Sequence, residues 1–162
     1  MNSENKKLVI FDFSGTLIST TIPFIEGERE GREVPAVLKE MIQGLSQKYT
    51  LVILSSLEAS IIIKILEQES LDRSFTEIIG YNFLGRKSTK IKSLLSSYEL
   101  GSDEAVFVTD TLDDLREGAL AEVQTIGVTW GLDSEETLRE GNPVAMISNP
   151  IDLASAIASV LK

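Results

Sequence analysis

Short apolar runs of strand type alternate with longer amphipathic runs along the chain, and this alternation limits the fold more than any other feature. The predicted strands are Leu8–Phe13, Leu51–Leu54, Glu77–Tyr81, Ala105–Val108 and Gln124–Val128. The predicted helices are Pro35–Lys48, Ile61–Glu69, Lys90–Tyr98, Leu112–Ala121, Glu135–Glu140 and Pro150–Leu161. Such an order favours a parallel sheet with right-handed crossovers. The sequence therefore predicts an α/β fold: a doubly wound, Rossmann-like parallel sheet of about five strands with helices on both faces.

Two helix boundaries have clear local signals. Asn149 and Pro150 predict a helix start, since Asn caps well and Pro suits the first helical position. Gly141 predicts the end of the helix before it. The 162 residues suit one domain, so we expect residues 1–162 to form a single unit.

The composition excludes several kinds of chemistry. The chain has no Cys and no His, which rules out disulfides, thiolate nucleophiles, Ser-His pairs and Cys/His zinc sites. Carboxylates, hydroxyls and lysines remain for catalysis.

A formal charge of −10 opposes binding to nucleic acid and to anionic membranes. Residues 1–7 are polar and are followed by a short apolar run, which fits neither a secretory signal nor a membrane span. We therefore expect a cytoplasmic protein with no membrane partner, for which nucleic acid is a disfavoured partner.

Polar side chains follow several predicted strands at the points where the strands end. Asp12 follows the first strand, Ser55 and Ser56 the second, and Asp110 the fourth, with Asp113 and Asp114 close behind. In doubly wound sheets the ligand site lies outside the carboxyl ends of the strands. Lys87 lies before the helix that leads to the fourth strand.

This set of residues suits attack on a phosphate. A carboxylate that approaches a phosphate dianion is repelled, so a divalent cation, a hydroxyl donor and an ammonium are needed nearby. Asp110, Ser55 and Lys87 are candidates for holding the cation, donating the hydroxyl and supplying the ammonium.

The same residues resemble the motifs of the haloacid dehalogenase-like superfamily of phosphatases and phosphotransferases. The segment LVIFDFSGTL at residues 8–17 is similar to its first motif, and Ser55, Lys87 and Asp110 with Asp114 match the second, third and fourth motifs in order. Residues 106–131 are similar to the phosphoglycolate phosphatase-like branch, and the likeness extends through residues 147–150.

The resemblance implies roles for each of these residues. Asp12 would be the nucleophile that forms an aspartyl-phosphate. Ser55 and Lys87, with Phe13 and Ser14, would contact the phosphate. Mg²⁺ would be held by Asp12, the Ser14 backbone carbonyl and Asp110, with Asp114 as a further predicted ligand, and waters would complete its octahedron.

Several alternatives remain open. Ser56 competes with Ser55, because either could cap the following helix. Lys90 competes with Lys87, which we favour because it precedes an expected cap at Ser88. Asp110 could cap a helix instead of binding metal. Asp113 is expected to be solvated, and Trp130 is expected to pack at the sheet edge.

Ser14 departs from the phosphatase pattern, in which a second Asp serves as general acid and base. A serine hydroxyl is a poor base near pH 7, and general acid–base catalysis is typically worth about 10²–10⁴-fold in rate, or about 3–5 kcal/mol of barrier. We therefore expect a Mg²⁺-dependent phosphohydrolase with a weakened acid–base step that favours good leaving groups such as acyl or aryl phosphates. The alternative is a catalytically impaired module that binds phosphate or accepts a phosphoryl group.

The spacing leaves little room for a cap domain. Too few residues separate Leu17 from Pro35 for a helical cap, and one helix fits between Tyr81 and Ala105. We expect an open site that accepts a phosphorylated small molecule or an exposed phosphate on a macromolecule. A flap at residues 24–31, with Glu26, Glu28 and Glu30 as substitute acids, or a second copy of the chain could cover it.

Overall fold

In the part of the chain that the structure describes, six parallel strands form one sheet in the order β3-β2-β1-β4-β5-β6. The computed structural model describes residues 6–19, 33–81 and 85–162. The strands are β1 Leu8–Phe11, β2 Thr50–Leu54, β3 Glu77–Ile79, β4 Ala105–Thr109, β5 Gln124–Val128 and β6 Ala145–Ile147. The α-helices are α1 Ala36–Lys48, α2 Ala59–Gln68, α3 Lys87–Ser97, α4 Leu112–Leu120, α5 Glu135–Arg139 and α6 Leu153–Val160. The predicted doubly wound α/β fold is confirmed.

Alternate strand residues point to opposite faces of the sheet, as the two-residue period of a strand requires. Val9 and Phe11 belong to one buried cluster, which also holds apolar side chains of α1, α2 and α6. Leu8 and Ile10 belong to a second cluster, which includes side chains of α3. Because both faces are covered, strands β1, β2 and β4 are almost wholly apolar.

The prediction of about five strands missed the edge strand β6. This strand has three half-buried residues and pairs with β5 through Ala145, Met146 and Ile147. A run this short, next to Pro143, lacks the length that identifies a strand from sequence alone.

Several predicted boundaries shift by one to three residues. β1 ends at Phe11 rather than Phe13, although the Asp12 N–H still donates to the Val108 carbonyl at 2.9 Å. The predicted helix start near Lys90, with a cap at Ser88, is wrong: α3 begins at Lys87. These differences lie at element ends, where sequence signals are weakest.

The other two terminal signals had different outcomes. The Asn149 side chain accepts a hydrogen bond from the Ile151 N–H at 3.2 Å, which confirms the cap, and a 3₁₀ turn at Pro150–Asp152 precedes α6. Gly141 follows α5, but Asn142 adopts the positive φ of 47°. A Cβ at Gly141 would lie 2.7 Å from the Cβ of Leu115, so close packing explains this glycine.

The strand order reverses between β1 and β4. From β1 the chain proceeds outward through β2 and β3, then returns to β4 beside β1 and proceeds the other way through β5 and β6. This reversal is the point at which doubly wound sheets bind their ligands. Asp12 and Asp110 follow the two strands on either side of it.

None of the helices in the described part of the chain is long and apolar enough to cross a membrane.

Candidate active site

The loop after β1 turns at Gly15, and Asp12 and Ser14 border a cavity there. Gly15 has a φ of 81°, a conformation that glycine adopts at little cost, and its N–H donates to the Ile18 carbonyl at 2.7 Å. The Phe13 carbonyl accepts hydrogen bonds from the N–H groups of residues 16–18. The Phe13 side chain lies in the core, so a contact of this residue with phosphate would come from its backbone.

Asp12 is 6% exposed and lies 3.2 Å from the Lys87 ammonium, measured from Oδ1 to Nζ. Burial raises the pKa of Asp12, Lys87 opposes this, and the carboxylates of Asp114 and Asp110 raise it further, to about 8. Burial is the largest of these effects, and the ammonium of Lys87 does not offset it.

Lys87 connects two of the carboxylates. Its Nζ lies 2.6 Å from Asp114 Oδ2, in addition to its contact with Asp12. Burial alone would lower the pKa of Lys87, but Asp12 and Asp114 outweigh burial and raise it. The ammonium is therefore charged at neutral pH. Lys87 borders the cavity and Lys90 does not, so the structure favours Lys87 as the candidate ammonium.

Glu117 of α4 holds the start of α3 in place. Its Oε2 accepts a hydrogen bond from the Ser88 N–H at 2.8 Å, and its Oε1 accepts from Arg86 Nη2 at 2.5 Å. Burial raises the pKa of Glu117, but the bonds from Arg86 and Ser88 leave it below its usual value. This clamp fixes the helix end from which Lys87 extends.

Asp114 is buried, and the contacts of its Oδ2 are with Lys87 and with the Thr109 hydroxyl at 3.0 Å. Its backbone N–H donates to the side chain of Thr111, which is the cap of α4. Thr111, rather than Asp110, therefore fills the capping role that was the alternative for Asp110.

Asp110 is fully buried, and each of its carboxylate oxygens accepts one hydrogen bond. The Thr16 hydroxyl donates to Oδ1 at 3.1 Å and the Leu132 N–H donates to Oδ2 at 2.8 Å. Gly131 allows this approach, because a Cβ there would lie 2.2 Å from Asp110 Oδ2 and 2.4 Å from the Gly15 carbonyl oxygen.

Trp130, in the loop after β5, contacts the loop after β1 that carries Asp12. It packs against the buried cluster that includes Val9 and Phe11, and its Nε1 also donates to the Thr16 carbonyl at 3.0 Å. The indole thus fixes the loop after β1 against the loop after β5.

Ser55 is buried at the end of β2, whereas Ser56 is exposed, although both border the cavity. Ser55 Oγ accepts from the Leu57 N–H at 3.1 Å. The hydroxyl hydrogen remains available to donate to a phosphate oxygen. The α2 cap is Glu58, so neither serine caps that helix.

The cavity has a volume of about 480 Å³, within the range of small-molecule sites. It collects the predicted residues except Phe13, and adds several that the sequence did not single out. The described residues that line it are Asp12, Ser14, Ser55, Ser56, Leu57, Lys87, Asp110, Thr111, Asp113, Asp114, Leu132 and Asp133. Asp113 is exposed, as expected.

The oxygen donors at this position suit a hard divalent cation. Asp12 and Asp110 follow adjacent strands, and a cation beside Asp12 would favour its charged form against burial, which raises its pKa. Among residues 6–19, 33–81 and 85–162, no three acidic side chains group as a metal cage. Two carboxylates and one backbone carbonyl still fit Mg²⁺, which keeps several waters.

Sequence reasoning missed Thr16, Thr109, Glu117, Gly131 and Asp133. Thr16 belongs to the Gly-Thr-Leu motif and could have been found there, and Thr109 immediately precedes Asp110. Glu117 and Gly131 act through contacts with residues 29 and 21 positions away, which no local pattern reveals. The predicted flap at residues 24–31, with its three glutamates, lies outside the described residues.

Comparison with known proteins points to one family of hydrolases. The model of the haloacid dehalogenase-like hydrolase family matches residues 28–128, more than half of the chain. A probable phosphatase, IndB, of Dickeya dadantii is 27% identical over 82% of this chain and 59% of its own length. The pyrophosphatase PpaX of Listeria monocytogenes is 28% identical over 73% of this chain and 56% of its own length.

A solved structure supports the same fold. The crystal structure of a predicted phosphoglycolate phosphatase from Haemophilus somnus superposes with a TM-score of 0.79 at 16% identity, covering 96% of this chain and 100% of that one. At this identity the likeness concerns the fold. The chain spans somewhat more than half the length of the curated relatives named above.

Proposed function

The chain belongs to the haloacid dehalogenase-like hydrolase family, and we propose that it is a Mg²⁺-dependent phosphohydrolase with Asp12 as its nucleophile. The main support is the position of Asp12: a buried carboxylate at the reversal of strand order, 3.2 Å from Lys87, which borders an open cavity. The relatives described as phosphatases favour the same class of reaction.

The reaction would proceed in two displacements. An Asp12 carboxylate oxygen attacks phosphorus, and the bond from phosphorus to the leaving oxygen breaks with its electron pair on the leaving group. Water then attacks the phosphorus of the aspartyl-phosphate, the bond to Asp12 breaks, and inorganic phosphate leaves. The carboxylate of Asp12 is restored, so the cycle needs no other reactant.

The other side chains would bind and orient the phosphoryl group. The Lys87 ammonium offsets its negative charge, and the free hydrogen of the Ser55 hydroxyl donates to one of its oxygens. Asp114, through its contacts with Lys87 and Thr109, would position the ammonium rather than bind metal. When bound by Asp12, Asp110 and the Ser14 carbonyl, Mg²⁺ would supply positive charge at the transferring phosphoryl group.

Ser14 determines the kind of substrate in this proposal. It borders the cavity but carries no carboxylate, so the leaving group would depart without a proton from this position. Substrates whose leaving group is stable as an anion, such as aryl and acyl phosphates, are then favoured. The cavity volume suits a phosphorylated small molecule.

The test compares the wild type with Asp12→Asn on 4-nitrophenyl phosphate and acetyl phosphate, with Mg²⁺ and with EDTA. We expect turnover by the wild type with Mg²⁺ and a loss of at least about 10³-fold in the variant, since a nucleophile is essential. Equal rates for the two proteins would remove Asp12 from the reaction.

A phospho-accepting module is the second candidate, and the absence of a carboxylate at position 14 favours it, because water would attack the phosphoenzyme slowly. Mass spectrometry after treatment with acetyl phosphate separates the two. A phosphohydrolase shows a transient adduct on Asp12, whereas an accepting module keeps a stable one. Ser14→Asp should raise the hydrolysis rate of the adduct by about 10²-fold or more.

A further inference from the structure

The charged side chains around the cavity are strongly unbalanced. Among the described residues that line it, Lys87 is the single cation, against the five carboxylates of Asp12, Asp110, Asp113, Asp114 and Asp133. Lys90, one helical turn beyond Lys87, does not border the cavity, and Arg86 is bound to Glu117.

Three of the carboxylates already have a role in the proposed reaction, and two do not. Asp12 and Asp114 contact Lys87, and Asp110 is fixed by Thr16 and the Leu132 N–H. Asp133 and Asp113 add two further negative charges, beyond those that the reaction uses.

These two carboxylates differ in their surroundings. Asp133 Oδ2 accepts from the Leu112 N–H at 2.7 Å, so this side chain also supports the start of α4. Asp113 is exposed, and its side chain makes no hydrogen bond or ion pair with another described residue. Because Asp113 also borders the cavity, its charge acts on a group bound there without being offset by a partner in the described part of the chain.

Uncharged surface completes the wall of the cavity. Leu132 is 68% exposed, although its N–H is fixed on Asp110 Oδ2. Leu57 also borders the cavity, and its N–H is fixed on Ser55 Oγ. The exposed Leu132 and the half-buried Leu57 offer contact area for an apolar group and no attraction for an anion.

We propose that Asp113 is a specificity residue. With Asp133 and the two leucines, it selects substrates that carry no negative charge other than that of the phosphoryl group to be transferred. This proposal rests on the proposed phosphohydrolase function. It states that inorganic pyrophosphate and carboxylate-bearing phosphates are poor substrates, whereas neutral or cationic aryl phosphates are good ones. The selection is by repulsion of the wrong substrate as much as by contact with the right one.

The test uses two aryl phosphates that differ in one group, 4-carboxy-2-nitrophenyl phosphate and 4-carbamoyl-2-nitrophenyl phosphate, with pyrophosphate as a third substrate. The wild type should favour the carbamoyl compound in kcat/KM. Asp113→Asn should raise the ratio of kcat/KM for the carboxy compound to that for the carbamoyl compound by about 3- to 10-fold, the scale of one partly screened charge. Because the same ratio is compared between wild type and variant, the difference in leaving-group reactivity between the two compounds cancels.

Asp72→Asn is the matched control. Asp72 is exposed and precedes β3, at the opposite end of the sheet, so its loss changes the net charge equally without changing the cavity. This variant should leave the ratio unchanged, and added salt should reduce the effect of Asp113→Asn. A ratio that changes equally in both variants, or a wild type that prefers the carboxy compound or pyrophosphate, overturns the proposal.

Binding to Asp12→Asn separates this proposal from the proposed function. In calorimetry with Mg²⁺, Asp12→Asn should bind the carbamoyl compound more tightly than the carboxy compound. The double variant that also carries Asp113→Asn should show a smaller difference in affinity. If the wild type hydrolyses none of the three compounds, the phosphohydrolase function fails, and the binding difference still decides the specificity. Equal binding of the two aryl phosphates overturns the specificity.

Discussion

The two ends of the parallel sheet differ in where their charged side chains lie. At the carboxyl ends of the strands, Asp12, Asp110 and Asp114 are at most 8% exposed. At the amino ends, acidic residues such as Asp72 and Asp103 are exposed, and Lys6 donates to the Gln47 carbonyl at the surface. Burial of charge costs stability, so an end that buries three carboxylates around one lysine is organised for binding rather than for folding.

The largest effect should come from removing one carboxylate at the buried end. Asp110→Asn keeps the size of the side chain and one acceptor for Thr16 or Leu132, but removes a predicted metal ligand. We expect a loss of at least about 10²-fold in kcat/KM and weaker activation by Mg²⁺, because even outer-shell changes at metal sites cost about 10–100-fold. Mg²⁺ titrations of activity measure this.

Asp72→Asn, at the amino ends of the strands, is the control and should change neither kcat/KM nor the activation by Mg²⁺. If Asp110→Asn is as active as Asp72→Asn, Asp110 does not hold the metal.

The contrast in glycine packing predicts the next largest effect. Gly131→Ala places a Cβ 2.2 Å from Asp110 Oδ2, which forces the loop after β5 away from the loop after β4. By contrast, nothing lies within 4 Å of a Cβ at Gly44 of α1. Gly131→Ala should cost about 1–3 kcal/mol of stability and roughly 10²-fold in activity. Gly44→Ala should raise stability by about 0.5–1 kcal/mol with no change in rate.

Chemical denaturation with parallel kinetics checks both glycine variants. A Gly131→Ala protein with wild-type stability and rate would contradict the close approach between Gly131 and Asp110.

The raised pKa of Asp12 predicts a pH dependence of the protein's stability. The pKa of this carboxyl is raised in the folded protein to about 8, so the folded state binds this proton more tightly than the unfolded chain. The protonated form of Asp12 contributes to the free energy of unfolding. In metal-free buffer this contribution is fully present below about pH 4 and is lost as the pH rises through about 8. Asp12→Asn should remove this loss and be more stable than the wild type at pH 8.

Urea denaturation in EDTA from pH 5 to 9 measures the effect, and Mg²⁺ should restore wild-type stability at pH 8. A wild-type curve that runs parallel to that of Asp12→Asn over this range would show that Asp12 ionises normally.

The smallest predicted effect concerns the clamp between α4 and α3. Glu117→Gln weakens the bonds to Arg86 and to the Ser88 N–H, so Lys87 loses part of its support. We expect a rise of a few-fold in KM and a loss of about 1 kcal/mol of stability. Glu140→Gln, which removes a partner of the exposed Arg116, is the control and should change neither. Identical kinetics for the two variants would show that the clamp does not position Lys87.

The fold was largely predictable because its signals are local. Within the described residues, apolar runs and amphipathic stripes identified five of the six strands and the six α-helices. Strand β6 was missed because three half-buried edge residues resemble a loop. The start of α3 was misplaced because Ser88 resembles a cap, although its N–H is satisfied by Glu117 from another helix.

The sequence by itself determined the α/β class, the excluded chemistries and the candidates Asp12, Ser55, Lys87, Asp110 and Asp114, because strand ends and motif spacing are properties of neighbouring residues. The tertiary structure decided which of them meet. It placed Lys87 between Asp12 and Asp114, fixed Asp110 through Thr16 and Leu132, and brought Asp113 and Asp133 to the same cavity. These contacts join residues far apart in the chain, and their distances and burial set the charge balance of the site, which no local pattern contains.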